Sequence, residues 1–191
     1  FKALKPLKKK WVSHPLENDE KVVKAAAEAG CWYVYQAIFD DSKHIRDRIK
    51  MLKDYGIGVE GTILLGLDSH TEYDIKKLID FLLEIDLDMA EFTILTPFPK
   101  TLPFDEMKKA NRLLSTDWNN YTADKVVFKP KKITPDKLQE LYDYAWDAFY
   151  KDESQAYKMF KLYKKVVIKE MEDGTFKRKK RDLTSLKFGK K

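Results

Sequence analysis

Two apolar segments, residues 59–67 and 91–95, limit the possible folds of this chain more than any other feature of the sequence. Each follows a stretch with helical periodicity, and each leads into small, polar or proline residues. Apolar segments of this kind are typical of buried parallel strands that carry a ligand site at their C-terminal ends. The sequence therefore predicts an α/β fold of the barrel type.

Three helix–strand units follow one another in the first half of the chain. The predicted helices are 21–29, 44–55 and 72–84, and the predicted strands are 10–13, 31–39, 59–67 and 91–95. Strands that alternate with helices are joined by right-handed crossovers and form a parallel sheet. Four such strands amount to half of an eight-stranded barrel or to a small open sheet, and a half-barrel is expected to have two unpaired edges.

The character of the sequence changes after Pro99. Helices are predicted over 104–114, from the Thr134-Pro135 start to Phe149 and over 154–171, with a short strand at 125–128 and a frayed Lys/Arg-rich tail at 175–191. We therefore divide the chain near Thr101. Residues 1–100 are interpreted as the C-terminal half of a (β/α) barrel, and residues 101–191 as a mostly helical C-terminal extension with a basic tail.

Composition excludes several classes of protein. The 191 residues are 43% hydrophobic, which suffices for one substantial core, and no apolar run approaches the ~20 residues that span a bilayer. We expect a cytoplasmic protein. Cys31 is the only cysteine, so the chain can form no internal disulfide and no cysteine cluster for zinc or an iron–sulfur centre. Because the chain opens with Phe1 inside a basic segment, we interpret it as a piece of a longer polypeptide.

The net charge of +6 raises the question of a nucleic-acid partner. Basic residues concentrate at 5–10, 125–132 and 175–191, whereas the middle of the chain is balanced or acidic. No RNA- or DNA-binding motif accompanies these clusters. Solvated surface charge is the favoured interpretation, and we do not expect nucleic acid as a partner.

Four motifs in order give the chain a family resemblance. They are Gly-Ile-Gly-Val-Glu-Gly-Thr-Ile-Leu-Leu-Gly-Leu-Asp at 56–68, Phe-Thr-Ile-Leu-Thr-Pro-Phe-Pro at 92–99, Asp117-Trp118 with Val-Phe-Lys-Pro at 127–130, and Ile-Thr-Pro-Asp-Lys-Leu-Gln at 133–139. Together they resemble the C-terminal half of a radical S-adenosylmethionine (radical SAM) enzyme of the subgroup with an N-terminal cobalamin-binding domain. The resemblance covers about residues 11–150.

The resemblance implies a partial (β/α) barrel and a set of cofactors. In such enzymes a 4Fe–4S cluster, held by a Cys-x3-Cys-x2-Cys loop after the first strand, cleaves S-adenosylmethionine to a 5′-deoxyadenosyl radical. That loop is not in this sequence. The resemblance therefore implies that the cluster and cobalamin belong to an N-terminal barrel half and cobalamin domain, in the same polypeptide or in a separate subunit, and that this chain alone is inactive.

The same resemblance assigns this chain the wall that contacts S-adenosylmethionine and part of the substrate face. Carboxylates near the end of the second predicted strand, with Asp40 and Asp41 as the candidates, are implied to bind ribose hydroxyls or the methionine amine. The next two strand ends are implied to contact adenine. The implied cofactor-binding residues are Gln36, Asp40, Gly61, Gly66, Asp68, Thr96 and Pro97. No residue of this chain is assigned a catalytic or metal-binding role. A cobalamin-dependent methyltransferase is one kind of whole enzyme that the resemblance implies.

Several of these residues also suit a purely structural role. Gly61 and Gly66 equally suit relief of crowding inside a tight sheet, and residues 68–72 suit the capping of a helix whether or not they contact a ligand. The three histidines have no metal-ligand spacing, and Cys31 suits a buried small hydrophobe.

A second functional hypothesis comes from a different class. The chain could be a non-catalytic binding or scaffold module, a barrel remnant whose basic ends hold an acidic partner or nucleic acid. A neighbouring gene or upstream reading frame that encodes the Cys-x3-Cys-x2-Cys loop would favour the enzyme hypothesis. A natural gene product with no such partner would favour the binding module.

Overall fold

A four-stranded parallel sheet forms the centre of the protein in the computed structural model, which describes residues 1–172 and Gly174. The strands are β1 (Trp11–Ser13), β2 (Cys31–Ala37), β3 (Gly58–Leu65) and β4 (Met89–Ile94), and they lie in the order β1-β2-β3-β4. This confirms the predicted α/β fold with parallel strands. Within the described residues the sheet is open rather than closed into a barrel.

Six α-helices accompany the sheet in the described part of the chain. They are α1 (Glu20–Glu28), α2 (Lys43–Asp54), α3 (Glu72–Glu84), α4 (Leu102–Lys109), α5 (Pro135–Tyr150) and α6 (Gln155–Glu172). Short 3-10 turns lie at Lys5–Leu7 and Trp118–Asn120. The predicted helical extension after residue 100 is thus confirmed, and the predicted tail at 175–191 lies outside the described residues.

Local side-chain chemistry explains where the helices begin. Thr71 and Asp74 form a reciprocal capping box at the start of α3, and the Thr134 hydroxyl accepts from the Lys137 N–H at 3.2 Å at the start of α5. The capping role predicted for the segment before Glu72 is therefore confirmed.

Two predictions after Pro99 are wrong in detail. Helix α4 ends at Lys109 instead of Leu114, because Asn111 adopts a left-handed backbone with φ of 52° and reverses the chain. The strand predicted at 125–128 is reduced to an isolated antiparallel bridge between Phe128 and Leu113.

The two faces of the sheet have different surroundings. Side chains alternate along each strand, so paired residues share a face. One face carries the residues of the main core, including Val34, Val59 and Phe92, and helices pack against it. The other, which we call the open face, carries Tyr35, Glu60, Thr62 and Glu91. Near the N-terminal ends of the strands, Leu162 of α6 covers this face by packing against Tyr33 and Met89.

The two edges of the sheet also differ. On the β4 side, the Tyr150 hydroxyl donates to the carbonyl oxygen of Ala90 at 2.7 Å and accepts from its N–H at 3.1 Å. The N–H of Ile94 donates to the carbonyl oxygen of Ala123 at 2.7 Å. β1 has a hydrogen-bonded neighbour only on the β2 side within the described residues. Within the described residues no strand pairs with the outer side of β1 or of β4, as expected, and α5 and the loop before it cover part of the β4 edge at Ala90 and Ile94.

Helix α5 belongs to the same core as the sheet. Leu138, Leu141, Ala145 and Phe149 are buried in the cluster that contains the β2, β3 and β4 residues. The division of the chain near Thr101 stays a prediction. No helix in the described part of the chain combines the length and the apolar character needed to cross a membrane.

Candidate functional site

The C-terminal ends of β2, β3 and β4 lie side by side at one edge of the sheet, which we call the strand-end edge. Backbone bonds extend the ladders past the strands: the Ile38 N–H donates to Thr62 at 3.1 Å, and the Leu95 N–H donates to Leu65 at 2.8 Å. Five of the seven predicted cofactor-binding residues lie in the loops that start there, namely Asp40, Gly66, Asp68, Thr96 and Pro97. Gln36 and Gly61 lie within strands β2 and β3, before the strand-end edge, and pair with each other.

Two cations fix Asp68 at this edge. Nη1 and Nη2 of Arg112 donate to its two carboxylate oxygens, the first at 3.0 Å, and Nζ of Lys131 lies 2.9 Å from Oδ2. Arg112 also donates from Nε to the Lys129 carbonyl oxygen at 2.8 Å. A bidentate pair adds geometric specificity as well as binding energy. The Arg112–Asp68 pair therefore holds the loop after β3 against the segment after α4. Asp68 still exposes 36% of its side chain, which leaves room for a further contact.

The glycines at the site have different surroundings. Gly66 has φ of +88°, and a Cβ there would lie 2.7 Å from Cδ2 of Leu138. A Cβ on Gly61 would lie 2.7 Å from Cδ2 of Leu87 and 2.8 Å from Cδ1 of Ile38, on the helix-covered face. Protein atoms therefore fill the side-chain direction of both glycines, which favours the relief of crowding as their role. A cofactor contact at Gly66 would have to use the backbone.

The remaining predicted residues make local bonds. Asp40 is exposed, and its Oδ1 accepts from the Ser42 N–H at 2.9 Å. Hydrogen bonding to the Ser42 side chain, and secondarily to this N–H, lowers the pKa of Asp40. The Thr96 hydroxyl donates to the Ile94 carbonyl oxygen at 2.9 Å, and the Gln36 amide donates to the Ala37 carbonyl oxygen at 3.0 Å. Among these side chains, Asp40 is the one best placed to accept from a ligand.

Glu60 is a buried carboxylate on the open face that sequence reasoning did not single out. It is 8% exposed and forms no hydrogen bond or ion pair within the described residues. Burial, and secondarily the charge of Glu91, raises its pKa. The hydroxyl of Tyr33, on the same face, is also buried without a hydrogen-bond partner in the described part of the chain. The open face therefore holds a buried acceptor, Glu60, and a buried donor, Tyr33, that have no hydrogen-bond partner among the described residues.

One signal in the sequence did point to Glu60. It is the single charged residue in an otherwise apolar strand, Gly-Val-Glu-Gly-Thr-Ile-Leu-Leu. A charged residue in such a run is rarely fully buried unless paired.

The cysteine and histidines offer no metal site in the described residues. Burial raises the pKa of the Cys31 thiol to about 12, and the thiol is buried in the core. Burial has the opposite effect on His70, because desolvation of its charged form lowers the pKa of the imidazole. Nδ1 of His70 has no partner in the described residues. Across residues 1–172 and Gly174, no group of three His, Cys, Asp or Glu side chains is arranged to hold a metal ion.

The ion pair of Asp68 predicts a specific pH dependence of stability. Arg112 and, secondarily, Lys131 lower the pKa of Asp68 below its unfolded value of about 3.9. A lowered carboxyl pKa stabilises the fold above the unfolded pKa, and that stabilisation is lost as the pH falls through the folded pKa. We expect Asp68→Asn to unfold at lower urea concentration than the unmodified chain at pH 7, and the gap to shrink at pH 3.

The matched control for this prediction is Asp105→Asn, which changes charge in the first turn of α4. It should leave the urea midpoint nearly unchanged at both pH values. An equal gap between Asp68→Asn and the unmodified chain at pH 7 and pH 3 would contradict the prediction.

The chain is similar in sequence to methyltransferases. It is 31% identical over 155 residues to an uncharacterised methyltransferase of Pyrococcus horikoshii, a match that covers 73% of this chain and 34% of the relative. It is 33% identical over 92 residues to the bacteriochlorophyllide d C-12(1)-methyltransferase of Chlorobaculum tepidum, covering 48% of this chain and 20% of that one. The chain thus spans about a third or less of the length of these relatives.

A cyclase and a solved methyltransferase are similar to the chain as well. The anaerobic magnesium-protoporphyrin IX monomethyl ester cyclase of Cereibacter sphaeroides is 25% identical over 93 residues, which cover 49% of this chain and 15% of the cyclase. The radical S-adenosylmethionine methyltransferase TsrM of Kitasatospora setae, solved with cobalamin and a 4Fe–4S cluster, aligns over 69% of this chain and 29% of its own with a TM-score of 0.46 and 17% identity. No family model matches the chain.

Proposed function

We propose that this chain is the C-terminal portion of a radical SAM methyltransferase, and that its strand-end edge and open face form part of the wall around S-adenosylmethionine and the substrate. The observation that carries the proposal is the 31% identity over 155 residues to a methyltransferase. The four motifs that resemble radical SAM enzymes support the radical subclass. Cobalamin dependence rests on the same resemblance.

The residues present do not fit an iron–sulfur cluster. Such a cluster requires several thiolates, and the sequence has the single buried Cys31. The cluster, and cobalamin with it, is therefore assigned to the preceding part of the enzyme.

The residues present do fit S-adenosylmethionine. Its ribose hydroxyls and ammonium group are hydrogen-bond donors, and carboxylates are the acceptors that match them. Asp40 and Asp68 supply such carboxylates at the strand-end edge, and unpartnered Glu60 supplies another on the open face of the described structure. When bound, S-adenosylmethionine supplies the methyl group, and these three residues would hold its ribose and amino groups.

The open edge at β1 supports the partner part of the proposal. β1 has only three residues and exposes Val12, and no described strand pairs with its outer side. A strand of the preceding barrel half would satisfy these backbone groups by adding to β1. The partner is therefore proposed to be the N-terminal barrel half with its cobalamin domain.

The test uses the complete enzyme to which this portion belongs. Asp68→Asn should raise the S-adenosylmethionine concentration for half-maximal 5′-deoxyadenosine formation by about tenfold or more, because a hydrogen bond to a charged group contributes about 1.5–3 kcal/mol. Asp86→Asn is the matched control, since Asp86 lies in the loop before β4 at the other end of the sheet. It should leave that concentration unchanged.

A second variant separates binding from scaffolding. Arg112→Gln breaks the ion pair with Asp68 but keeps the carboxylate. If Asp68 contacts the ligand, Arg112→Gln should disturb S-adenosylmethionine use less than Asp68→Asn. Equal losses in the two variants would show that Asp68 is only structural. A complete enzyme without 5′-deoxyadenosine formation or methyl transfer would refute the proposed function itself.

A further inference from the structure

A cavity of about 740 Å³ opens at the N-terminal ends of the strands, opposite the strand-end edge. Its walls come from the segment before β1, the turns that lead into β2 and β3, and helix α6. Small-molecule sites commonly have volumes of about 300–1,000 Å³. The size therefore suits a small molecule, and we call this space the lysine cavity.

Positive charge dominates the lining of the lysine cavity. Among the described residues, eight lysines line it: Lys5, Lys8, Lys9, Lys10, Lys24, Lys53, Lys165 and Lys169. Four carboxylates of the described part of the chain line it as well, namely Glu28, Asp54, Asp88 and Glu170. A concave site lined mainly by one sign of charge concentrates ions of the opposite sign.

The carboxylates do not neutralise this charge. Three of them already pair with cavity lysines: Lys5 with Glu28 at 2.9 Å, Lys165 with Asp88 at 3.7 Å, and Lys10 with Glu170 at 3.7 Å. Asp54 pairs with Lys50, which is not part of the lining. Within the described residues, four lysines of the cavity form no ion pair and no hydrogen bond through their side chains, namely Lys8, Lys9, Lys24 and Lys169.

Close backbone packing holds the N-terminal lysines in place. Gly30 has φ of +100°, and a Cβ there would overlap the carbonyl oxygen of Lys9. The Trp11 backbone N–H donates to Gly30 at 3.2 Å, and its indole N–H donates to Ala29 at 2.9 Å. Lys8 adopts a left-handed backbone with φ of 49° that turns the chain. The lysines are thus presented by an anchored segment and not by a free surface chain.

We propose that the lysine cavity binds a small molecule with a diphosphate or triphosphate group. Lysine ammonium groups act as point-charge ligands for phosphate. A compact group with several negative charges therefore matches the four lysines that have no ion-pair partner among the described residues. Trp32 and Tyr55 also line the cavity and offer ring surface to a nucleoside base. The ligand is therefore either a free polyphosphate or a nucleoside polyphosphate. This proposal does not depend on the proposed methyltransferase function.

Titration calorimetry on the 191-residue chain tests the proposal with inorganic tripolyphosphate and with ADP as separate probes. We expect saturable binding that weakens with added salt. The double variant Lys8→Gln/Lys169→Gln should bind at least tenfold more weakly. The matched control Lys108→Gln/Lys109→Gln removes the same charge from the last turn of α4 and should bind as the unmodified chain does. Tighter binding of ADP than of tripolyphosphate would identify a nucleotide, and the reverse a free polyphosphate.

Three outcomes would overturn the proposal. They are absence of saturable binding at millimolar probe, equal weakening in the double variant and its control, and a single-stranded RNA that binds more tightly than either probe and is lost in the same double variant. Thermal melts establish that each variant is folded. If Lys8→Gln/Lys169→Gln fails to fold, Lys9→Gln/Lys24→Gln takes its place with the same expectation.

Discussion

Replacing Gly66 by valine is expected to lower the free energy of unfolding by about 2–5 kcal/mol. The left-handed backbone with φ of +88° costs a residue with a Cβ roughly 1–2 kcal/mol. The new side chain would also enter space filled by Leu138 and Phe128, and such overpacking costs about 1–3 kcal/mol. Urea denaturation followed by circular dichroism measures the loss.

Gly56→Val is the matched control for Gly66→Val. Gly56 also has a left-handed backbone, with φ of +72°, but a Cβ there would meet only Nζ of Lys169 at 3.4 Å. It should therefore show the backbone cost without most of the overlap. If Gly66→Val were as stable as Gly56→Val, the contact with Leu138 would not be the reason for a glycine at this position.

Phe92→Ala is expected to cost about 3–5 kcal/mol, the range for removing a buried aromatic side chain. Phe92 is 2% exposed on β4, and its ring makes edge contacts with Trp146 at 5.5 Å and Phe149 at 6.0 Å between centroids. The substitution would open a cavity where α5 meets the sheet. Because α5 also carries Tyr150, we expect the Phe92→Ala substitution to weaken the contact between Tyr150 and the β4 edge. Faster amide hydrogen exchange at Ala90 would measure this change.

Phe160→Ala provides the comparison for Phe92→Ala. Phe160 lies on α6 with 57% exposure, and its ring stacks on Tyr157. Exposed substitutions usually change stability by no more than about 0.5 kcal/mol. A loss at Phe160 as large as that at Phe92 would show that the centre of stability is not the junction of α5 and the sheet.

Local patterns in the sequence predicted much of the fold. The α3 bounds, 72–84, agree with the structure, because one apolar stripe and a capping box define that helix within its own segment. The Thr134-Pro135 start of α5 was predicted for the same reason. The end of α4 was not, since it depends on the left-handed turn at Asn111, a residue type that allows but does not require this conformation.

The candidate site was less predictable because its contacts join distant parts of the chain. Asp68 and Arg112 are 44 residues apart in the sequence, and no local pattern around either residue predicts that they form an ion pair. The space beside Gly66 is filled by Leu138, which comes from a helix much later in the chain. Parallel strands do predict which loops share an edge, and for that reason the sequence alone predicts where Asp40, Asp68 and Thr96 lie.

The contact of Tyr150 with Ala90 hinders the addition of a further strand to the sheet on the β4 side. One hydroxyl occupies both polar backbone groups of Ala90, so a further strand that approached β4 would have to displace it. Open-ended stacking of strands, as in amyloid, needs two receptive sides on every copy. Within the described residues, β1 is the end strand of this sheet whose outer backbone carries no such contact. Two isolated chains that met through their sheets would therefore stop at a pair instead of extending into a fibre.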